Sequence, residues 1–223
     1  MYKKKPILFL YKEVSFNLID KYNFKDKNDI QKIYIGLKWL HHYIKHSPKD
    51  NIDIAVSAID IFNASVHKNA KLNCRNMAVV LNAIYLSLGL KSRYIICLQK
   101  EIIINNSHFV VEVYVKELQK WIIVDPSYAL LFLNKEKKHL SLAEVRFYIA
   151  TGKKIEIKTI CNKLNSYLYW HNYISKLYRF RRPIVSNDKY DINSKFIELI
   201  PKIKTNSDKE LELIDNPMVF WTS

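Results

Sequence analysis

Glycine and cysteine are both scarce in this chain, three of each in 223 residues. An odd cysteine count excludes a complete disulfide framework. Cys74, Cys97 and Cys161 lie far apart, with no C-x-x-C pair. A structural zinc site needs cysteine or histidine at short spacing, and none is present. Free thiols in this number point to a reducing compartment, and the protein is read as cytoplasmic. No apolar run reaches the ~18 residues that a membrane-crossing helix requires. The opening MYKKKPILFLYKEV starts basic and then apolar, but Lys12 and Glu13 end the run too early for a signal peptide. Acidic runs of the EF-hand kind are missing too, so neither a metal nor a cofactor is expected. Internal repeats and low-complexity linkers are likewise missing.

Acidic side chains are in deficit, 21 against 36 Lys and Arg, for a net charge of +15. Such an excess can signal a polyanion or a membrane surface. Here residues 1–70, 71–150 and 151–223 each carry the same excess of five. No arm or tail concentrates it. The chain is also rich in Lys, Asn and Ile, so a biased genome composition explains the charge at least as well. A nucleic-acid partner is therefore not the favoured reading. Hydrophobic residues at 49% and charged residues at 26% are ordinary for a globular protein.

The first part of the chain reads as helices. Ile30, Ile33, Tyr34, Leu37, Leu40 and Ile44 recur at helical spacing over residues 28–46, and Pro48 supports a stop. Ala55, Ile59, Ile61 and Phe62 mark a second helix over residues 52–66. Residues 74–88 form a third, almost wholly apolar, followed by Gly89 where a C-terminal cap wants positive φ. The pattern then turns to strands: SRYIICL at 92–98, HFVVEVYV at 108–115 and WIIVD at 121–125. The last two read as a hairpin turning near residues 116–120. With the turn centred at 117–118, position 110 falls opposite 125 or close to it. Ser141-Leu142-Ala143-Glu144 is a capping box that starts a helix at 142, running to about 151–152. Residues 160–182 are aromatic and basic and are read as mostly helical. Beyond them, Phe196–Ile200 and Met218–Trp221 are short β-like pieces.

Three residues in this order could carry chemistry. Asn73 is a good N-cap, which makes Cys74 the first residue of the third helix. Unpaired N–H groups and the macrodipole at that position favour a thiolate. A cysteine there is also ordinary packing. His108 opens a strand and could be a base for that thiol, or a surface histidine. Asp125 ends a strand before Pro126; it could orient His108, or simply mark a turn. A hairpin would bring His108 and Asp125 to the same end of adjacent strands.

The segments NCRNMAVVLNAIYLSLGLKSRYI (73–95), SHFVVEVYV (107–115) and KWIIVDPSY (120–128) resemble the transglutaminase-like superfamily of papain-like cysteine enzymes. Gly89, Arg93, Glu112, Val113, Tyr114, Trp121 and Pro126 take part in the match, which spans roughly residues 35–150. The resemblance implies an α+β fold in which a catalytic helix packs on an antiparallel sheet, with extra N-terminal helices. It implies a core over residues 1–152 and a C-terminal extension, 153–223, packed on it. It also implies a Cys74–His108–Asp125 triad and acyl transfer through a thioester on an amide or peptide substrate. Hydrolysis is favoured over protein cross-linking; a catalytically silent binding module of the same fold is the other alternative. Substrate-binding residues stay open, with Trp39, Asn73 and Trp121 as candidates. An oxyanion hole needs two donors. The N–H of Cys74 is one candidate, and Trp39, His41, His42 or Asn63 could supply the other. Arg93 is expected to brace its strand or pair with a carboxylate such as Glu112. Cys97 is expected to be an inert core thiol, and Cys161 is open.

Overall fold

A computed structural model describes residues 24–49, 57–99, 107–160, 179–183, 196–199 and 211–214. Among these are the α-helices α1 (Asp29–Tyr43), α2 (Ala58–Lys68), α3 (Cys74–Ser87) and α4 (Leu142–Ala150). The strands are β1 (Lys91–Leu98), β2 (Ser107–Val115), β3 (Lys120–Asp125), β4 (Leu130–Leu133), β5 (Glu156–Thr159), β6 (Arg179–Pro183), β7 (Phe196–Leu199) and β8 (Leu211–Ile214). They form one sheet in the order β5-β4-β3-β2-β1-β6-β7-β8. Its pairs are antiparallel, except for the parallel pair of β7 with β8. The class is α+β, as the sequence patterning indicates. Among the described residues no helix is long and apolar enough to cross a membrane.

Local chemistry sets each helix start. The side chains of Asn28, Ser57, Asn73 and Ser141 each accept the backbone N–H three residues on. Gln31, Asp60 and Glu144 complete reciprocal capping boxes at three of those starts. The boundary of α2 differs from the expected 52–66, because Ser57 is its cap; residues 52–56 lie outside the described residues. Gly89, at φ 75°, turns the chain from α3 into β1.

Alternation along the strands builds two cores. Phe109, Val111, Val113 and Val115 of β2 pack with the apolar faces of α1, α2 and α3. Val110 packs with Ile95, Ile123, Phe132, Phe180 and the α4 residues Leu142 and Val145. Helix α3 is apolar nearly all round because it lies deep between α1, α2 and the sheet. The β2–β3 register, with Val111 opposite Val124, continues by one residue to set Val110 opposite Asp125.

Residues 161–178 and the Met218–Trp221 piece lie outside the described residues. The end of the expected helix over 160–182 is a strand instead: β6 pairs with the free side of β1, at Cys97 opposite Phe180. An unpaired sheet edge offers a row of backbone partners, which outweighs a weak helical pattern.

Helix α1 seats on α3 at Gly36. A Cβ built there would lie 2.8 Å from Cε1 of Tyr85. That ring cannot swing away cheaply, because its hydroxyl donates to the Ile33 carbonyl at 3.0 Å inside the core. Gly36→Ala should therefore destabilise the protein by about 1–3 kcal/mol through overpacking. A urea unfolding midpoint unchanged from the parent would show that α1 seats less tightly than this.

Candidate active site

The N-terminus of α3, the start of β2 and the end of β3 converge. Cys74 is the first residue of α3, with Asn73 capping it through the Asn76 N–H at 3.0 Å. The thiol is partly exposed and free. It hydrogen-bonds the His108 side chain and receives the backbone N–H of Phe109. His108 in turn meets Asp125, with Nε2 to Oδ2 at 2.9 Å. A carboxylate can only accept here, so Nε2 carries the proton. That leaves Nδ1 as the ring nitrogen facing the thiol.

Asp125 is held from its other side. Its Oδ1 accepts the N–H of Ser127 at 2.8 Å and of Tyr128 at 3.3 Å. These bonds wrap the chain into a tight turn between β3 and β4, which Ala129 closes at φ 55°. The Asp-Pro pair is thus a turn signal whose carboxylate also meets His108. His108 and Asp125 are 1% and 0% exposed, so their contact is unscreened by water.

Electrostatics follow from this packing. Burial pushes the Cys74 thiol up, but the bond to His108, its positive charge and the Phe109 N–H outweigh burial and leave the thiol below its ordinary value. Burial pulls His108 down, yet the charge and hydrogen bond of Asp125, followed by Cys74, raise it to about 10. Both directions favour the same pairing, a thiolate beside an imidazolium. Cys97 is the contrast. It sits opposite His108 across the β1–β2 ladder, 1% exposed. Burial first, then the negative charges of Asp125 and Glu112, push its thiol well up. It has the character expected of an inert core thiol; Cys161 lies outside the described residues.

The other residues singled out from sequence divide. Trp39 is 6% exposed, stacks on Phe62 at 5.2 Å, and its Nε1 has no hydrogen-bond partner among the described residues. His41 donates its Nε2–H to the Pro126 carbonyl at 2.6 Å. His42 is exposed. The buried Oδ1 of Asn63 has no hydrogen-bond partner among the described residues. Asn73 serves as the α3 cap. Trp121 lies four residues before Asp125 on β3, ~13 Å from it along the strand. There it lines a cleft of about 400 Å³ with Arg93, Glu112, Tyr114, Lys120 and Glu144. Arg93 pairs with Glu112 at 3.0 Å and lies over the Trp121 ring at 4.1 Å. The other Glu112 oxygen receives the Leu142 N–H that opens α4, at 3.2 Å. Burial outweighs Arg93 and raises the Glu112 carboxyl. Sequence reasoning left unassigned the contact of His41 to the turn, and also that of His46, whose ring meets Tyr128 edge-on at 5.3 Å. No local pattern signals either one.

The two described thiols should separate under alkylation. Cys74 should react with iodoacetamide with a midpoint below the ordinary thiol value of about 8.5, and Cys97 only after unfolding. Equal protection of both in the folded protein, read by peptide mass spectrometry, would contradict the described site.

Residues 17–126 match the sequence model of the Transglutaminase-like superfamily. Solved structures also align with this chain. A candidate cysteine protease from Cytophaga hutchinsonii is 19% identical, with a TM-score of 0.40, over 56% of this chain and 43% of its own. A candidate protease from Parabacteroides distasonis is 13% identical at a TM-score of 0.39, over 62% and 28%. LapG from Legionella pneumophila, EGTA-treated, is 15% identical at 0.39, over 62% and 75%. The chain thus spans less than half the length of the first two. No curated protein matches it. The chain thus carries a transglutaminase-like domain over residues 17–126, in an α+β fold that joins the N-terminus of α3 to the β2–β3 hairpin.

Proposed function

We propose that the protein is a cysteine-dependent acyl-transfer enzyme acting on an amide or peptide bond, with Cys74, His108 and Asp125 as its triad. The observation that carries this reading is the continuous chain of hydrogen bonds from the Cys74 thiol through His108 to Asp125. Together with the lowered thiol, it favours the thiolate, the form that attacks a carbonyl carbon.

The Cys74 thiolate attacks the carbonyl carbon, and the C=O electron pair moves onto oxygen. The N–H of Cys74, at the helix N-terminus, is one donor for that oxyanion. Trp39 Nε1 is our choice for the second: it is a buried donor without a partner among the described residues, and such groups call for a reason. The tetrahedral intermediate collapses as His108 gives its Nδ1 proton to the leaving amine, forming a thioester. His108, now neutral, takes a proton from water as water attacks the thioester. Collapse releases the acid and restores the thiolate–imidazolium pair. Asp125 keeps Nε2 protonated throughout, so Nδ1 is the nitrogen that shuttles the proton. Hydrolysis is the form we favour, because water needs no second binding site. Peptide and protein segments are the substrates that fit an open helix end, and a reducing compartment would keep Cys74 free.

The test is turnover of a panel of peptide amides with fluorogenic leaving groups, alongside glutamine peptides with and without a primary amine. Cys74→Ala and His108→Ala should fall to background. Trp39→Phe, which keeps the packing but loses the N–H, should lower kcat by about 10²–10³. Amine incorporation in place of acid release would make the enzyme a cross-linker. Absence of turnover across the panel, with Cys74 alkylating normally, would favour a silent binding module and overturn the proposal.

A further inference from the structure

Helix α1 touches the β2–β3 hairpin at both ends. At its start, the Asp29 N–H donates to Glu117 Oε1 at 2.5 Å, and the Lys116 N–H donates to Asp29 Oδ2 at 3.0 Å. Near its end, His41 Nε2 meets the Pro126 carbonyl at 2.6 Å. A carbonyl oxygen only accepts, so Nε2–H is the donor. From Asp29 to His41 the helix rises ~18 Å at 1.5 Å per residue. From Lys120 to Asp125 β3 advances ~17 Å at strand spacing. The helix therefore matches the length of the strand it accompanies, pinned to the turn before it and the turn after it.

The second of those turns carries Asp125. Four groups grip its consecutive residues: His41, the Asp125 carboxylate, His46 and the Ile160 N–H. Pro126 is held by His41. Ser127 and Tyr128 are held by the Asp125 carboxylate. The Tyr128 ring meets His46 at 5.3 Å, and the Ala129 carbonyl accepts the Ile160 N–H at 3.0 Å. The segment that follows α1 also reaches the nucleophile. The Ser47 N–H donates to the Leu72 carbonyl, and the Leu72 N–H to the Lys45 carbonyl, each at 2.9 Å, two residues before Cys74. One stretch, residues 41–47, thus ties the approach to Cys74 to the turn that presents Asp125.

We infer that His41 is a positioning residue: its Nε2–H bond to the Pro126 carbonyl sets the turn so that Asp125 Oδ2 faces His108 Nε2 while Cys74 is held at the other side of the ring. This rests on the triad reading above. It acts through Asp125, so losing it loosens the carboxylate without removing any group that touches substrate. The consequence is a less complete thiolate–imidazolium pair.

The test compares His41→Leu, which keeps bulk and removes the donor, with His41→Gln, whose amide N–H reaches as Nε2 does. Lys38→Ala, exposed on the same helix, is the control. Each full-length protein is read by the pH midpoint of Cys74 alkylation, by kcat and KM on any amide that the wild type turns over, and by thermal melting. His41→Leu should raise the alkylation midpoint and lower kcat by on the order of ten- to a hundredfold, with KM nearly unchanged. His41→Gln should restore most of both, and Lys38→Ala should match wild type. A merely structural role would shift melting in both His41 variants but leave the midpoint alone, and that result overturns the inference. Should wild-type Cys74 itself show an ordinary thiol midpoint, the triad reading fails first. Should wild type be armed and His41→Leu be equally armed, only the inference about His41 fails.

Discussion

The buried bond between His108 and Asp125 is the contact on which the site depends. Neither side chain reaches water. A carboxylate in that position would be costly without partners. Asp125 has three: two backbone N–H groups on one oxygen and the imidazole on the other. The imidazole, raised to about 10, supplies positive charge that favours the thiolate form of Cys74. Removing any link leaves the others with an uncompensated charge. The geometry of the turn, the ring and the helix start must therefore be right together.

The rest of the fold supplies that geometry. The antiparallel register of β2 and β3 brings His108 and Asp125 to one end of the hairpin. At the other end, the Arg93–Glu112 pair, capped by Trp121 and by the first N–H of α4, locks β1, β2 and β3 to that helix. A buried pair of this kind adds little stability over apolar packing, but one wrong register would strand its charges. Helix α1, seated on α3 through Gly36 and Tyr85, runs between the hairpin's two turns. The site is thus held by elements whose residues are mostly remote from it in sequence.

That remoteness explains what was legible from the sequence. Cys74 could be placed because an N-cap asparagine and an apolar helix adjoin it. His108 and Asp125 could be placed because alternation in β2 and β3 fixes which residues end each strand. Arg93 and Glu112 could be paired because two buried opposite charges on adjacent strands have few other options. Strands β4 and β5 escaped notice: LLFL and EIKT are too short to show a period, and each exists by virtue of its neighbour. The strand at Arg179–Pro183 was masked by an aromatic and basic pattern that also suits a helix. His41 stood only as a candidate oxyanion donor, because its partner is a backbone carbonyl, which leaves no mark in side-chain patterns.

In the proposed site His108 is an imidazolium held between two negative groups. NMR of the ¹⁵N-labelled histidine ring across a pH series reads this directly. The account predicts that His108 stays doubly protonated through neutral pH and titrates near 10. It also predicts that Cys74→Ala, which removes one of the two negative partners, lowers that value. A wild-type His108 that titrates near the ordinary value of about 6.5, or is neutral throughout, would contradict the account.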